Sequence, residues 1–258
     1  MATLMNGGAL GDGAEIEATQ DALFGGSVVL FQPPRGAGYR TNVDALLLAG
    51  FAASPGGIHR TPRAAALAFD LGAGVGAVGL SLLRLGAARR VVLVEIDEQP
   101  AAMARRNLDA NGWTDRGEVI RGDVRDVARS RRGQAALVVC NPPYVVPGRG
   151  RVAATQARAR SGRLETFVEA ARQLAGRQAR VCFVYPAAEL GLLLSTLSVE
   201  GLHAKRLRFV HATPEAPARV ALVEAVAGRA GGLHVVPPLV ERGARGYTPE
   251  MQTLLAKG

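Results

Sequence analysis

The feature that most constrains this chain is an apolar run that ends in an acid and continues into three closely spaced glycines. Residues Ala64 to Asp70 are almost all apolar, as expected of a strand buried on both faces. Gly72, Gly74 and Gly76 follow, and they open a helical stretch that continues to about Leu85. Glycines let the backbone turn sharply and approach a ligand closely. This order predicts a ligand site at the carboxyl end of a parallel strand.

Strand-like and helix-like segments continue to alternate along the chain, which indicates the fold class. Strand-like segments at residues 90–94, 116–122, 135–140 and 179–185 are each followed by a helix-like or turn segment. Residues 202–210 and 219–226 flank a proline-containing turn, which is typical of a β-hairpin. We therefore expect an α/β fold, with a mostly parallel sheet, helices on both faces and a C-terminal antiparallel β-hairpin.

The domain organisation follows from the absence of a long linker. Residues 1–20 are rich in Gly and Ala, and we expect a mostly disordered tail. Residues 21–258 should form a single domain, with an N-terminal extension at 21–63 and a core at 64–226. The extension contains an apolar helix after Tyr39-Arg40, for which Thr41 or Asn42 is the candidate N-cap.

Acidic residues follow the next two strands of the predicted sheet. Glu95 ends the strand at 90–94, and its carboxylate suits bidentate hydrogen bonding to a ribose diol. Asp97 lies two residues further on and is the alternative. Asp123, with Val124 after it, ends the third strand. Because carboxyl ends of parallel strands share one edge of a sheet, these groups should lie beside the glycine-rich turn.

The tetrapeptide Asn141-Pro142-Pro143-Tyr144 ends the strand at 135–140. Two prolines cannot donate ladder hydrogen bonds, so strand pairing stops there and the loop is stiff. A fixed amide and a fixed aromatic ring suit a planar group that bears an amine. The alternative is a turn that only terminates the strand.

Charge and composition favour a polyanionic partner. The net charge is +9, which favours RNA or DNA. The segment after the tetrapeptide is basic and contains no acid between residues 145 and 163. Its arginines include Arg149, Arg151, Arg158 and Arg160. We expect these four, together with Tyr39 and Arg40, to contact the polyanion; the alternative is a solvated loop.

Cysteine usage and the lack of targeting or metal-binding patterns indicate the cellular compartment and the absence of a metal. Cys140 and Cys182 lie inside apolar runs, as reduced core cysteines do. No signal peptide, membrane span or zinc spacing is evident in the sequence, so we expect a cytoplasmic protein without a metal. We also expect a monomer.

Together these motifs resemble the class I S-adenosylmethionine-dependent methyltransferases. The resemblance rests on the segment from Asp70 to Gly76, on Glu95, on Asp123 and on the tetrapeptide from Asn141. Residues Phe24 to Gly26, Gly38 to Arg40, Asp44 to Ala49 and Tyr247 to Glu250 further resemble the tRNA(Val) adenine-N6 methyltransferase family. The segments at 145–155 and 195–217 match that family only loosely.

The resemblance implies a Rossmann-like sheet of seven strands, S-adenosyl-L-methionine as cofactor, and the exocyclic amine of a base in RNA as target, with adenine N6 in tRNA expected first. It assigns Asp70, Gly72, Gly74 and Gly76 to the methionine end of the cofactor and Glu95 to its ribose. It assigns Asp123 and Val124 to the adenine of the cofactor. Asn141, Pro142 and Tyr144 then hold the target amine, with Asn141 also beside the cofactor.

Three other functions use part of the same residues. A glutamine-amide methyltransferase that acts on a translation release factor would use the same tetrapeptide. A non-catalytic RNA-binding protein could retain the fold. A nicotinamide-dependent dehydrogenase would use Gly72, Gly74 and Glu95, but it gives the tetrapeptide no role.

Overall fold

The computed structural model describes residues 18–34, 36, 40–54, 65–142, 154–228 and 230–256, and within 154–163 it describes the backbone only. The strands are β1 (Thr19–Leu23), β2 (Val28–Gln32), β3 (Ala65–Leu71), β4 (Ala88–Glu95), β5 (Gly117–Arg121), β6 (Ala135–Cys140), β7 (Ala175–Pro186), β8 (Leu202–His211), β9 (Ala218–Ala227), β10 (His234–Val235), β11 (Leu239–Val240), β12 (Arg242–Gly243) and β13 (Gly246–Tyr247). The helices are α1 (Val43–Ala53), α2 (Ala77–Arg84), α3 (Glu98–Ala110), α4 (Val124–Ser130), α5 (Ala154–Leu174), α6 (Leu190–Val199) and α7 (Pro249–Ala256).

Seven long strands form the main sheet in the order β8-β9-β7-β6-β3-β4-β5, and short β10 and β11 extend its β8 edge. Strands β3 to β7 are mutually parallel, whereas β9 is antiparallel to both β7 and β8. This topology confirms the predicted α/β fold, with its seven-stranded, mostly parallel sheet and its closing hairpin.

Helices cover both faces of the sheet and divide the core into two layers. One layer contains Leu47 of α1, Leu80 of α2 and Leu108 of α3. The other contains Val127 of α4 and Val168 of α5, with α6 beside them. Because both faces are buried, the central strands consist of apolar runs without alternation. Cys140 and Cys182 are buried free thiols, as predicted. Within the described residues, no helix is long and apolar enough to cross a membrane.

Two elements begin earlier than the sequence predicts. Strand β1 starts at Thr19, inside the segment expected to be a tail, and pairs antiparallel with β2. Helix α5 starts at Ala154, although the sequence alone predicts a helix only at residues 164–174. The segment that contains the start of β1 is rich in Gly and Ala, and the segment that contains the start of α5 is rich in Arg. Neither composition shows the apolar periodicity by which a strand or helix is predicted. The expected tail at 1–17 lies outside the described residues.

Asn107 of α3 and Asn111, the C-cap residue of this helix, complete the free edge of β2. The amide of Asn107 accepts from Phe31 N–H at 2.6 Å and donates to Phe31 C=O at 2.9 Å. Asn111 makes the same pair of bonds with Val29, at 2.9 and 2.8 Å. Four helical residues rise about 6 Å, close to the roughly 6.8 Å that separates alternate residues of a strand. The helix therefore offers β2 a ladder of side-chain amides, and this protects an edge that would otherwise be unpaired.

Buried ions fix α1 at both of its ends. Asn42 caps the N-terminus by accepting from Asp44 N–H at 3.0 Å, one of the two caps predicted. Asp44 itself forms an ion pair with Arg219 at 2.7 Å. At the C-terminus, Arg206 donates to the carbonyls of Phe51 and Ser54 and pairs with Glu224 at 2.8 Å. Cations at a helix C-terminus also interact favourably with its dipole.

We predict that Asn107→Leu lowers the free energy of unfolding by at least about 2 kcal/mol, because it leaves buried backbone groups of Phe31 and Val75 without partners. Asn107 is fully buried and also donates to Val75 C=O at 2.9 Å. Urea denaturation measures the change. Asp109→Ala, on the exposed side of α3, is the control. A loss of unfolding free energy below about 0.5 kcal/mol in the Leu variant would contradict this role of Asn107.

Candidate active site

The glycine-rich turn joins β3 to α2 in a conformation that requires glycine. Gly72, Gly74 and Gly76 have φ values of 67°, 56° and 86°. A Cβ on Gly76 would lie 2.9 Å from Leu93, and one on Gly72 would lie 3.1 Å from Phe167. Among the described residues, a Cβ on Gly74 would meet nothing within 4 Å. Gly72 and Gly76 therefore allow close packing, whereas Gly74 borders open space where a ligand can approach the backbone.

Two buried carboxylates hold this turn. Asp70, at the end of β3, accepts from Gly79 N–H at 2.9 Å. Glu95, at the end of β4, accepts from Gly74 N–H at 2.8 Å and from Asp97 N–H at 2.9 Å. Each carboxylate oxygen of Glu95 retains a further lone pair. Glu95 is 7% exposed, while Asp97 is exposed and serves as the N-cap residue of α3.

Burial changes the acidity of Asp70. Desolvation, reinforced by the charge of Glu95, raises the pKa of Asp70 from 3.8 to about 7, although the Gly79 hydrogen bond lowers it. A cation bound beside Asp70 would favour its ionised form. This group is therefore suited to receive a positively charged amine.

Asp123 and Val124 lie at the next strand end. Asp123 caps α4 by accepting from Arg125 N–H at 2.8 Å, and its carboxylate pairs with the Arg125 guanidinium at 2.6 Å. Hydrogen bonds from Arg125 lower the pKa of Asp123. Val124 is 8% exposed. The sequence did not predict this arginine partner, which any ligand of Asp123 must share or displace.

Ile96 is a candidate that sequence reasoning missed. It lies between Glu95 and Asp97 and is 61% exposed, which is unusual for isoleucine after a buried strand. An apolar side chain at the carboxyl edge of the sheet can pack on a planar ring, as can Val124. The signal in the sequence was an apolar residue placed between two acids.

Asn141 ends β6 with an unsatisfied acceptor. Its Oδ1 is buried and has no hydrogen-bond partner within the described part of the chain. Pro142 is buried beside it. Since Leu71 pairs with Cys140 on one side and with Val94 on the other, Asn141 and Glu95 flank the start of the glycine-rich turn. Two strand spacings, about 10 Å, separate them.

The structure brings together the site residues of four neighbouring strands, β6, β3, β4 and β5. Other predicted site residues are not placed: Tyr39, Tyr144, Arg149 and Arg151 lie outside the described residues, and of Arg158 and Arg160 only the α5 backbone is described. Arg40 is described and forms an ion pair with Asp21 at 2.6 Å. No group of three or more His, Cys, Asp or Glu side chains with metal-binding geometry occurs among the described residues.

Comparison with known proteins identifies the domain that carries this site. Residues 58–172 match the family model of the methyltransferase small domain. The region that contains this site is therefore similar to a methyltransferase domain, and the sheet has the class I methyltransferase fold. A predicted O-methyltransferase from Agrobacterium tumefaciens has a similar structure, with a TM-score of 0.65 and 25% identity over 83% of this chain and 95% of that chain.

Two curated relatives are methyltransferases with named substrates. A tRNA1(Val) (adenine(37)-N6)-methyltransferase of Pectobacterium carotovorum is 33% identical over 45% of this chain and 49% of its own length. A 4-amino-L-phenylalanine/4-methylamino-L-phenylalanine methyltransferase of Streptomyces pristinaespiralis is 37% identical over 34% of this chain and 29% of its own length. The match to the first relative spans about half of that protein.

The methyltransferase family and fold imply S-adenosylmethionine as cofactor, and the residues present fit it. Gly74 leaves space for a close approach to the backbone, and buried Asp70 suits a cationic amine. Glu95 has acceptor capacity for a diol. Ile96 and Val124 offer apolar surface for a ring.

Asp70→Asn should flatten the pH dependence of stability. Between about pH 4 and pH 7 the folded protein keeps a proton on Asp70 that the unfolded chain has released, so the free energy of unfolding falls as pH rises through this window. The Asn variant lacks this proton, and its amide oxygen can still accept from Gly79. Thermal and urea denaturation at several pH values measure the difference.

Asp115→Asn, an exposed substitution, is the control for that measurement. An unchanged pH profile in Asp70→Asn, together with a folded protein, would show that Asp70 ionises in the folded state at its ordinary pKa.

Glu95→Gln should weaken binding of S-adenosylmethionine about tenfold or more, because a Gln amide nitrogen cannot accept from a hydroxyl or a backbone N–H. Asp97→Asn is the matched control, two residues away and exposed. Isothermal titration calorimetry measures both dissociation constants. The reverse ranking would assign the ribose to Asp97.

Proposed function

We propose that this protein transfers a methyl group from S-adenosylmethionine to the exocyclic amine of a base in RNA, with adenine N6 in tRNA as the target. The observation that carries the proposal is the buried Oδ1 of Asn141 at the end of β6, next to the glycine-rich turn, which has no hydrogen-bond partner among the residues that the structure describes. A buried acceptor without a partner costs about 1–3 kcal/mol. An amine hydrogen of the substrate would remove this cost.

Asn141 and Pro142 would orient the target nitrogen. The lone pair of an exocyclic amine is delocalised into the ring, which makes it a weak nucleophile. If the Asn141 side chain and the Pro142 carbonyl each accept one amine hydrogen, the nitrogen is fixed in direction and becomes more tetrahedral. Tyr144 would stack on the base, a contact worth about 1–3 kcal/mol.

The chemistry needs positioning more than acid–base groups. S-adenosylmethionine supplies an electrophilic methyl group on a sulfonium. The amine nitrogen forms the new N–C bond as the C–S bond breaks, and the nitrogen then loses a proton to solvent. Asp70, Glu95 and Asp123 would hold the cofactor in line with the amine.

RNA is the proposed substrate class for three reasons. The net charge is +9. Arg149, Arg151, Arg158 and Arg160 follow the amine-binding tetrapeptide along the chain. The relative that is 33% identical is named for tRNA adenine methylation, and the second relative is likewise named for an amine on an aromatic ring.

We propose that residues 21–258 form one domain, with the extension at 21–63 and the core at 64–226.

A labelling experiment tests the substrate class. The protein is incubated with methyl-labelled S-adenosylmethionine and, separately, with total tRNA, ribosomal RNA or a translation release factor. Nucleoside analysis of the RNA should place the label on N6-methyladenosine from tRNA. Label found only in the release factor would replace RNA with a glutamine amide, and no label in any acceptor would contradict catalysis.

Asn141→Ala should lower the rate of transfer at least about 100-fold, because removal of a positioning acceptor affects the reaction more than ground-state binding. The dissociation constant for S-adenosylmethionine should change less than about threefold. Single-turnover transfer and calorimetry measure the two quantities. Gln134→Ala, at the opposite end of β6, is the control. A matching loss of cofactor affinity would move Asn141 from the substrate to the cofactor.

A further inference from the structure

A cavity of about 590 Å³ lies between the N-terminal and C-terminal segments, and its described lining residues differ from those proposed to hold the cofactor. Its size lies within the range of small-molecule sites. Its accessible apolar surface comes from the partly exposed Leu23 and Val43 on the N-terminal side and from Tyr247 and Leu255 on the C-terminal side. The cavity therefore has the apolar surface and volume that a flat ring needs.

The polar groups of this cavity are balanced in charge. Arg40 pairs with Asp21 at 2.6 Å, and Gln32 donates to the same carboxylate at 2.8 Å. Hydrogen bonding from Gln32 and Arg40 lowers the pKa of Asp21, although partial burial opposes it. The cation and the anion cancel, so the cavity suits a neutral, hydrogen-bonding group better than a phosphate.

An exposed basic hairpin forms one rim. Strands β12 and β13 pair Arg242 with Tyr247, and the Arg242 guanidinium lies 4.2 Å from the centre of the Tyr247 ring. Tyr247 is 39% exposed, and Arg245 lies in the exposed turn. Neither arginine has a carboxylate partner within the described residues. The hairpin thus presents two cations and an aromatic ring together.

The base of the hairpin is rigid. Thr248 N–H donates to Glu241 C=O at 3.0 Å, and Glu241 N–H donates to His211 C=O at 2.8 Å. The Arg219 guanidinium pairs with the Glu241 carboxylate at 2.5 Å and with the carboxylate of Asp44, at the start of α1, at 2.7 Å. The base of the hairpin is therefore tied to both β8 and α1.

The sheet places this hairpin at the same edge as Asn141. Strand β11 pairs with the carboxyl end of β8, at Val210 and His211. The order β8-β9-β7-β6 puts β11 four strand spacings from Asn141, about 19 Å. A few nucleotides of single-stranded RNA can span this distance.

We propose that the cavity and the β12–β13 hairpin form a subsite for an unpaired nucleotide of the RNA substrate, away from the methylated base. This inference rests on the proposed function for its partner class. The base stacks on the Tyr247 face that Arg242 leaves open and enters the cavity, while Arg242 and Arg245 contact the flanking phosphates. Aromatic stacking beside arginines is the usual arrangement for single strands.

The test uses the full chain and fluorescently labelled total tRNA, with binding measured by fluorescence anisotropy across a salt series. Arg242→Ala with Arg245→Ala should weaken binding about tenfold and reduce the slope of log K against log salt by about two. Arg89→Ala with Arg90→Ala is the matched control, since these exposed arginines start β4 at the opposite edge of the sheet.

Tyr247→Ala should weaken binding about tenfold with an unchanged salt slope, and Tyr247→Phe should bind as the wild type does. Affinity for S-adenosylmethionine and the melting temperature should stay unchanged in both, which excludes misfolding. In methylation assays the loss should be in KM and not in kcat.

The outcomes separate the two proposals. If wild-type protein binds tRNA but the hairpin variants and the β4 control variant bind equally well, the subsite is wrong and the proposed function stands. If the wild type neither binds nor methylates RNA, both proposals fail. If it binds RNA without methylating it, the hairpin variants still decide the subsite.

Discussion

Two buried carboxylates, Asp70 and Glu95, define the functional edge of this protein. Glu95 accepts from Gly74 N–H in the glycine-rich turn and Asp70 accepts from Gly79 N–H in α2, so the ends of two adjacent strands hold the turn and the helix that follows it. Burial raises the pKa of Asp70 to about 7, although its hydrogen bond from Gly79 opposes this shift. The glycine-rich turn determines where α2 begins and how far the turn lies from Asn141. A change in either acid alters the geometry of the whole edge.

The N-terminal extension is part of this arrangement and not an appendage. Asn107 links Phe31 of β2 to Val75 of the turn, so one fully buried amide joins the extension to the cofactor side. Arg219 joins α1 to the foot of the C-terminal hairpin. The segments that flank the proposed nucleotide cavity are thus both fixed to the methyltransferase core.

Residue patterns predicted the sheet, the glycine turn and the strand-end acids because each has a local signal. Asn42 as a cap and the antiparallel closing hairpin were also visible in short segments. The hydrogen bonds between Asn107 and β2 could not be predicted, because Asn107 and Phe31 are 76 residues apart in sequence and neither residue stands out in its own segment. The Arg125 partner of Asp123 and the exposure of Ile96 depend on side-chain geometry, which composition does not encode. Buried ion pairs such as Arg206 with Glu224 require knowledge of strand register.

The ion pairs of α1 have a consequence for how the protein is made. Arg206 reaches Ser54 across 152 residues of sequence, and Asp44 pairs with Arg219, further along the chain. The ribosome delivers α1 long before either arginine. During synthesis Asp44 has no cation from β9, and the last carbonyls of α1 remain bonded to water. Helix α1 therefore completes its docking only after Arg219 has been synthesised, so the site is assembled late in the synthesis of the chain.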